Sequence, residues 1–294
     1  MAKLIEFRVN LLKERSSLLK HSVELVRGLK EAAIAVRQEI VKMTSNANSG
    51  HLGGSLSCVD ILVALYFHQL NHNPQSPSWP GRDRFVLSKG HAAPALYGTL
   101  ALSGCFPREE LKTFRDIDSR LQGHPDNKKT PGVEISTGSL GQGLAVAVGM
   151  ALGFKLAGKN NQVYALVGDG ELDEGEIWEA AMFASHHKMV NITVLVDRNH
   201  GQNDGRTEEV MSIEPLAAKW ASFGWKVFEV DGHNIKNILN VLDRSMENRS
   251  KPTVIIAQTV KGKGISFVEG NDDYHAKPLP KELVAQAIAE LGKR

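Results

Sequence analysis

Cysteine is nearly missing: only Cys58 and Cys105 stand in a chain of 294 residues. They lie far apart and without metal-ligand spacing, so neither a disulfide framework nor a zinc site is expected. Long apolar runs are missing too. Hydrophobic residues make up 42% of the chain, yet every run breaks well short of the roughly 20 residues that a membrane span needs. The N-terminal MAKLIEFRVNLLKERSS scatters charge where a secretion signal would carry an unbroken apolar core. Charge of one sign is also absent. Basic residues number 35 and acidic residues 33, for a formal net charge of +2, and no basic stripe stands out, which makes nucleic acid a poor partner. An ordinary globular composition is left, long enough for a sizeable core. No membrane association is expected, and the cytoplasm is the default location.

Residues 1–21 have roughly helical spacing and read as an N-terminal helical extension. Residues 22–294 read as a single domain, because no linker or low-complexity run divides them. Glu24 to Met43 repeats apolar residues at three and four, a helical pattern that stops at the polar, glycine-containing loop TSNANSGHLGGS. LSCVDILVALYFHQL is a second helix, and RFVLS is a short strand that delivers KGHAAP at its carboxyl end. GSLGQGLAVAVGMALGFKLAG reads as a buried helix, since its glycines would cost stability in an exposed one. In the second half, QVYALV and NITVLVD are continuous apolar runs of strand length separated by a helical segment, and WKVFEVD and TVIIAQT follow with another helical segment between them. That alternation predicts an α/β fold: a doubly wound parallel sheet with helices on both faces.

In such sheets ligands sit outside the carboxyl ends of the strands. The stretch VGDGELDEGE follows one strand and DRNHGQNDG follows the next. Asp169 and Asn199 are thirty residues apart, the length of one βαβ crossover, so neighbouring strands would bring both into one crevice. One carboxylate and one amide oxygen, completed by water and substrate phosphate, form a ligand set that Mg²⁺ favours. Gly170 would let the backbone approach a phosphate closely. Glu171, Asp173 and Glu176 read as the charged start of a helix.

The GDG, the thirty-residue interval and the closing asparagine match the signature of thiamine-diphosphate enzymes. The motifs NSGHLGG, DRFVLSKGHAAP, GHPD, STGSLGQGL, VGDGELDEGEIWEA and TVKGKGISFVEGNDDYHAKPLP resemble the N-terminal half of transketolase, in that family's order and over nearly the whole chain. The resemblance implies a diphosphate-binding domain that takes thiamine diphosphate and Mg²⁺, with Ca²⁺ or Mn²⁺ able to substitute. It gives Asp169 and Asn199 the role of metal ligands and makes the Gly201 carbonyl the third, although the family usually has a bulky apolar residue there. Gly170 would meet the diphosphate, Gly138, Ser139 and Leu140 would flank the aminopyrimidine, and Lys261 would contact the cofactor. His51 and His275 would assist proton transfers, His91 would touch diphosphate and substrate, and His124 would bind the donor's terminal hydroxyl. Imidazole suits such work because it gives and accepts protons near neutrality. Glu174 resembles a glutamate that communicates with the cofactor-activating acid near a dimer interface. Lys89 and Lys277 fall in matched segments close to these histidines, whereas His186 and His187 read as structural or surface groups.

The family's activating glutamate and most of its phosphate-reading arginines belong to a second half. The resemblance therefore implies the large subunit of a split transketolase, paired with a C-terminal subunit in an α2β2 heterotetramer and passing a two-carbon ketol unit from a ketose to an aldose, commonly as phosphates. Three alternatives stand beside it: the alpha subunit of a 2-oxo acid dehydrogenase, a non-catalytic subunit that kept the fold, and a phosphohydrolase with Asp169 as nucleophile.

Overall fold

A computed structural model describes residues 21–247 and 250–293. The N-terminal extension expected over residues 1–21 lies outside the described residues except for its last position. Helix α1 (Val23–Asn46) opens where Ser22 Oγ accepts from the Leu25 N–H at 3.1 Å, a hydroxyl cap on a free helical donor. The helix runs three residues past the expected end, because Thr44 Oγ1 bonds back to Ile40 O at 2.8 Å and the polar tail stays helical. The next helix differs more. It starts at α2 (Leu52–Ser57), inside the stretch expected to be a loop, and continues through α3 (Val59–Ala64) into a wider turn at Leu65–Gln69. Gly53 allows this, since a Cβ there would sit 3.0 Å from Tyr274 O.

Strand β1 (Arg84–Leu87) leads to α4 (Ala93–Ser103), and α5 (Gln142–Leu156) leads to β2 (Val163–Gly168). Then come α6 (Gly175–His186), β3 (Ile192–Arg198) and a small hairpin of β4 (Gly201–Gln202) and β5 (Gly205–Arg206). The chain ends with α7 (Thr207–Val210), α8 (Leu216–Ser222), β6 (Lys226–Asp231), α9 (Ile235–Glu247), β7 (Thr253–Gln258) and α10 (Lys281–Gly292). The main sheet has the order β1-β2-β3-β7-β6 with every pairing parallel. It is the doubly wound α/β sheet that the alternating pattern predicts.

Successive strand residues point to opposite faces, and here each face has its own core. Tyr164, Leu166, Leu195, Ile255 and Ala257 pack with α1, α3, α4 and α9. Val163, Ala165, Val167, Val194, Val196 and Ile256 pack with α5, α6 and α8. Both faces are apolar, so the inner strands β2 and β3 are buried throughout and read as continuous hydrophobic runs, whereas the edge strand β6 alternates.

Helix α5 corrects the expectation of a wholly buried helix. Leu144, Ala147, Val148 and Ala151 are buried, but Val146 and Leu156 are exposed, and nothing lies within 4 Å of a Cβ built on Gly149 or Gly153. Only Gly143 uses its missing side chain for packing, with an added Cβ 2.5 Å from Ser88 Cα. Alanine ordinarily stabilises a helix over glycine by about 1 kcal/mol. At Gly143→Ala the sign reverses, because the methyl meets strand-end backbone, and a loss of about 1–3 kcal/mol is expected. Urea denaturation checks it; an unchanged or higher midpoint contradicts the packing.

Candidate functional site

Segments from four parts of the fold meet at one buried acid. Asp197, near the end of β3, accepts from Lys89 Nζ at 2.6 Å, Ser57 Oγ at 2.6 Å, Thr259 Oγ1 at 2.5 Å and Asn199 Nδ2 at 3.1 Å. Lys89 follows β1, Ser57 ends α2 and Thr259 follows β7. Burial pushes the Asp197 carboxyl up, but the Lys89 ammonium and the hydroxyl donors outweigh it and hold it below the usual carboxylate range. Lys89 is likewise held above its usual value by Asp197 although burial works against its charge.

This acid aims Asn199. The carboxamide nitrogen donates to Asp197 and to Ser57 Oγ at 3.3 Å, and its oxygen accepts from the Gly201 N–H at 3.1 Å. His200 between them has φ +64°, a left-handed conformation that histidine adopts more readily than most residues. The resulting turn sends the His200 N–H to Asp169 Oδ2 at 2.6 Å, where Arg198 Nη1 also donates at 3.1 Å. Asp169 Oδ1 takes only the Gly170 N–H, at 2.9 Å. Burial, then the nearby Asp197 charge, raises the Asp169 carboxyl, against Arg198 and the His200 amide.

An Mg²⁺ ion fits these donors. Asp169 Oδ1 and Asn199 Oδ1 each accept one recorded protein hydrogen bond and keep a lone pair, and both residues line one cavity of about 250 Å³ with Gly201. Among the described residues no three His, Cys, Asp or Glu side chains form a metal group of their own, so two side-chain oxygens plus a carbonyl and outside ligands match a hard cation. Glycine at 201 leaves room for two neighbouring side chains. A Cβ would lie 2.6 Å from Asp272 Oδ1 and 2.9 Å from Lys261 Nζ, displacing the 2.9 Å pair between them.

The same cavity is lined by His51, His91, His275, Gly138, Leu140, Gly170 and Lys261. Ring centroids of His51 lie 5.2 Å from His91, 5.5 Å from His275 and 6.5 Å from His124, which is exposed beside Gly138. Thus four histidines from four distant loops form one cluster. Burial lowers all four: His51 to about 4, helped by Arg115, and His275 to about 3, helped by Lys261, with His91 well below and His124 below the ordinary value. Neutral rings can accept protons near pH 7. The Nδ1 atoms of His51 and His275 are buried and have no hydrogen-bond partner among the described residues.

Other expected residues fall elsewhere. Ser139 is exposed and does not line the cavity, and Glu174 is exposed at the start of α6 beside Gly141. Lys277 is exposed, as are His186 and His187, whereas Lys89 is buried within the site. Three residues carry more than their sequence context suggests. Asp197 and Arg198 close a strand that is buried throughout, and a charge in such a strand is the signal for a buried network. Glu171 is more than the charged helix start expected of it: it lies in the first turn of the short 3₁₀ helix Gly170–Asp173 but is 2% exposed and accepts three hydrogen bonds.

Residues 29–294 match the family model described as transketolase, thiamine diphosphate binding domain. The chain is 44% identical over 265 residues to a 6-deoxy-6-sulfo-D-fructose transketolase subunit of Clostridium sp., covering 90% of this chain and 96% of that one. It is 43% identical over 264 residues to an apulose-4-phosphate transketolase subunit of Actinobacillus succinogenes, covering 90% and 95%. The crystal structure of transketolase from Campylobacter jejuni is similar with a TM-score of 0.85 at 37% identity, over 90% of this chain and 42% of that longer one.

The histidine cluster makes stability depend on pH. The folded-state values of about 4 and about 3 for His51 and His275 lie below the ordinary value of about 6.5. Below about pH 6.5 the unfolded chain therefore binds protons that the folded chain refuses, so stability is full above that pH and falls as pH drops toward about 4. Thermal melting across this window is expected to decline less steeply in the double variant His51→Gln, His275→Gln than in the parent. Equal slopes would contradict the assignment.

Proposed function

Since this chain belongs to the transketolase family, in its thiamine-diphosphate-binding part, we propose that it is the cofactor-binding subunit of a split transketolase. Joined to a second subunit, it moves a two-carbon ketol unit from a ketose to an aldose. The observation that carries this reading is the cavity itself, where the Asp169 and Asn199 oxygens and three of the four clustered histidines open onto one space. Asp169, Asn199 and the Gly201 carbonyl would hold Mg²⁺, with Ca²⁺ or Mn²⁺ as substitutes, and the cation would offset the negative charge that the acidic loop and a diphosphate bring together. Gly138 and Leu140, with the exposed Ser139 between them, would flank the aminopyrimidine, while Gly170, His91 and Lys261 would meet the diphosphate end. The bound cofactor supplies a carbon nucleophile that lets the bond between a ketose's second and third carbons break. Neutral His51 and His275, which line the cavity, take and return hydroxyl protons. His124, at the exposed edge of the cluster, binds the donor's terminal hydroxyl.

The partner subunit contributes the activating glutamate, and the assembly is an α2β2 heterotetramer. Two observations support it. The relatives named as subunits are matched over 96% and 95% of their own lengths, and α5 and α6 leave Val146, Leu156, Met182 and Phe183 exposed, an apolar face of the kind that marks an interface. Glu174, at the start of α6, belongs to that interface in this reading. Residues 22–294 act as one domain, and the cytoplasm is the proposed location; among the described residues no helix is long and apolar enough to cross a membrane. The names of the two relatives specify a sulfo-sugar and a sugar phosphate, so the donor proposed here is a ketose with an anionic group, pentose phosphates included.

No observation favours a 2-oxo acid dehydrogenase, a regulatory subunit or a phosphohydrolase. The test is to combine the chain with its partner, Mg²⁺ and thiamine diphosphate, and to assay ketol transfer from xylulose 5-phosphate, apulose 4-phosphate and 6-deoxy-6-sulfofructose. Transfer from at least one donor is expected with the partner and none without it. No transfer across the panel, or full activity of the chain alone, contradicts the proposal. In the same assay Asp169→Ala is expected to abolish Mg²⁺-dependent cofactor binding, while His124→Ala raises the donor KM or lowers kcat and leaves cofactor affinity intact.

A further inference from the structure

The two ends of the proposed cofactor seat come from different parts of the chain. Gly138 and Leu140 precede α5, whereas Asp169 and Gly170 follow β2, and the distance between these segments sets what the cavity can hold. One side chain spans them. Glu171 Oε1 accepts from the Gly141 N–H at 2.9 Å and from Ser88 Oγ at 2.5 Å, and Oε2 accepts from the Gly168 N–H at 2.9 Å. A single carboxylate therefore uses both oxygens to hold the start of α5, the end of β1 and the end of β2. Gly141 has φ +88°, a conformation that favours glycine, and it presents its N–H to this acid.

Burying an acid is unfavourable unless it is paired or hydrogen-bonded. Burial does raise the Glu171 carboxyl, against Ser88, the Gly141 and Gly168 amides and the Lys89 charge. Three donors facing one acceptor-only group make the geometry specific. Glutamine has nearly the same shape but replaces one oxygen by an NH₂ that can only donate, so at least one of the three donors would face another donor.

Resting on the reading above, we propose that Glu171 is a positioning residue: it fixes the aminopyrimidine segment Gly138–Leu140 against the diphosphate segment Gly168–Gly170, and so sets affinity for the magnesium–thiamine diphosphate pair. Glu171 is itself among the residues lining the cavity, but its carboxylate is taken up by these three protein donors. Its effect appears in binding and not in turnover.

The experiment measures cofactor affinity by fluorescence titration of the assembled complex with thiamine diphosphate and Mg²⁺, for the parent, Glu171→Gln and Ser88→Ala. Amide hydrogen exchange of peptides across 138–144 and 167–171 is followed without cofactor, and kcat is measured at saturating cofactor. Glu171→Gln is expected to weaken affinity by at least about tenfold and to speed exchange in both peptides, with kcat within about threefold of the parent. Ser88→Ala keeps both backbone donors and is expected to lose only about two- to threefold in affinity. Unchanged affinity in Glu171→Gln overturns the proposal, as does faster exchange or a lower melting point with parental affinity, which would mean a merely structural role. A loss confined to kcat overturns it in favour of a catalytic role. If the parent complex itself binds no thiamine diphosphate, the reading of function fails and takes this proposal with it.

Discussion

The carboxylate of Asp197 is the constraint on which the site depends. It is fully buried, and a buried charge is tolerated only when partners replace the water it lost. Lys89, Ser57, Asn199 and Thr259 do so, and to do so the ends of β1, α2, β3 and β7 must stand where they are. The consequence reaches the surface of the cavity through Asn199. With its nitrogen tied to Asp197 and Ser57, the amide oxygen has one orientation, and Asp169 is turned to complement it by the His200 N–H and Arg198. Arg198 is itself held by Thr207, Glu208 and Glu214, so the segment after the hairpin also helps to place the Asp169 carboxylate.

The fold was largely legible because the sheet is covered on both faces. Runs such as VYALV and ITVLV must be strands with apolar neighbours on either side, and two cores divide their residues alternately. The start of α2 was less legible, since Gly53 and Gly54 are poor helix formers, and only the fold shows that Gly53 lies close against Tyr274. Helix α5 misled in the other direction. Its composition suits burial all round, yet only one face meets this chain; sequence shows that a face is apolar, not which polypeptide covers it.

Site residues were legible where a motif marked them: Asp169, Asn199, Gly201 and three of the histidines do line one cavity. Glu171 was not, because charge next to GDG suits a helix start as well as a buried bridge, and only the positions of Ser88, Gly141 and Gly168 distinguish the two. Glycine at 201 looked like a departure from pattern. In the structure the Lys261–Asp272 pair occupies the space that a side chain there would take.

The central claim is that this network offers a hard cation the oxygens of Asp169, Asn199 and Gly201. A crystal of the assembled complex grown with thiamine diphosphate and Mn²⁺, its metal located by anomalous scattering, tests that claim most directly. The account predicts one cofactor-dependent peak in contact with those three residues. A peak among His51, His91 and His275, or none in this cavity while the cofactor is bound, would contradict it.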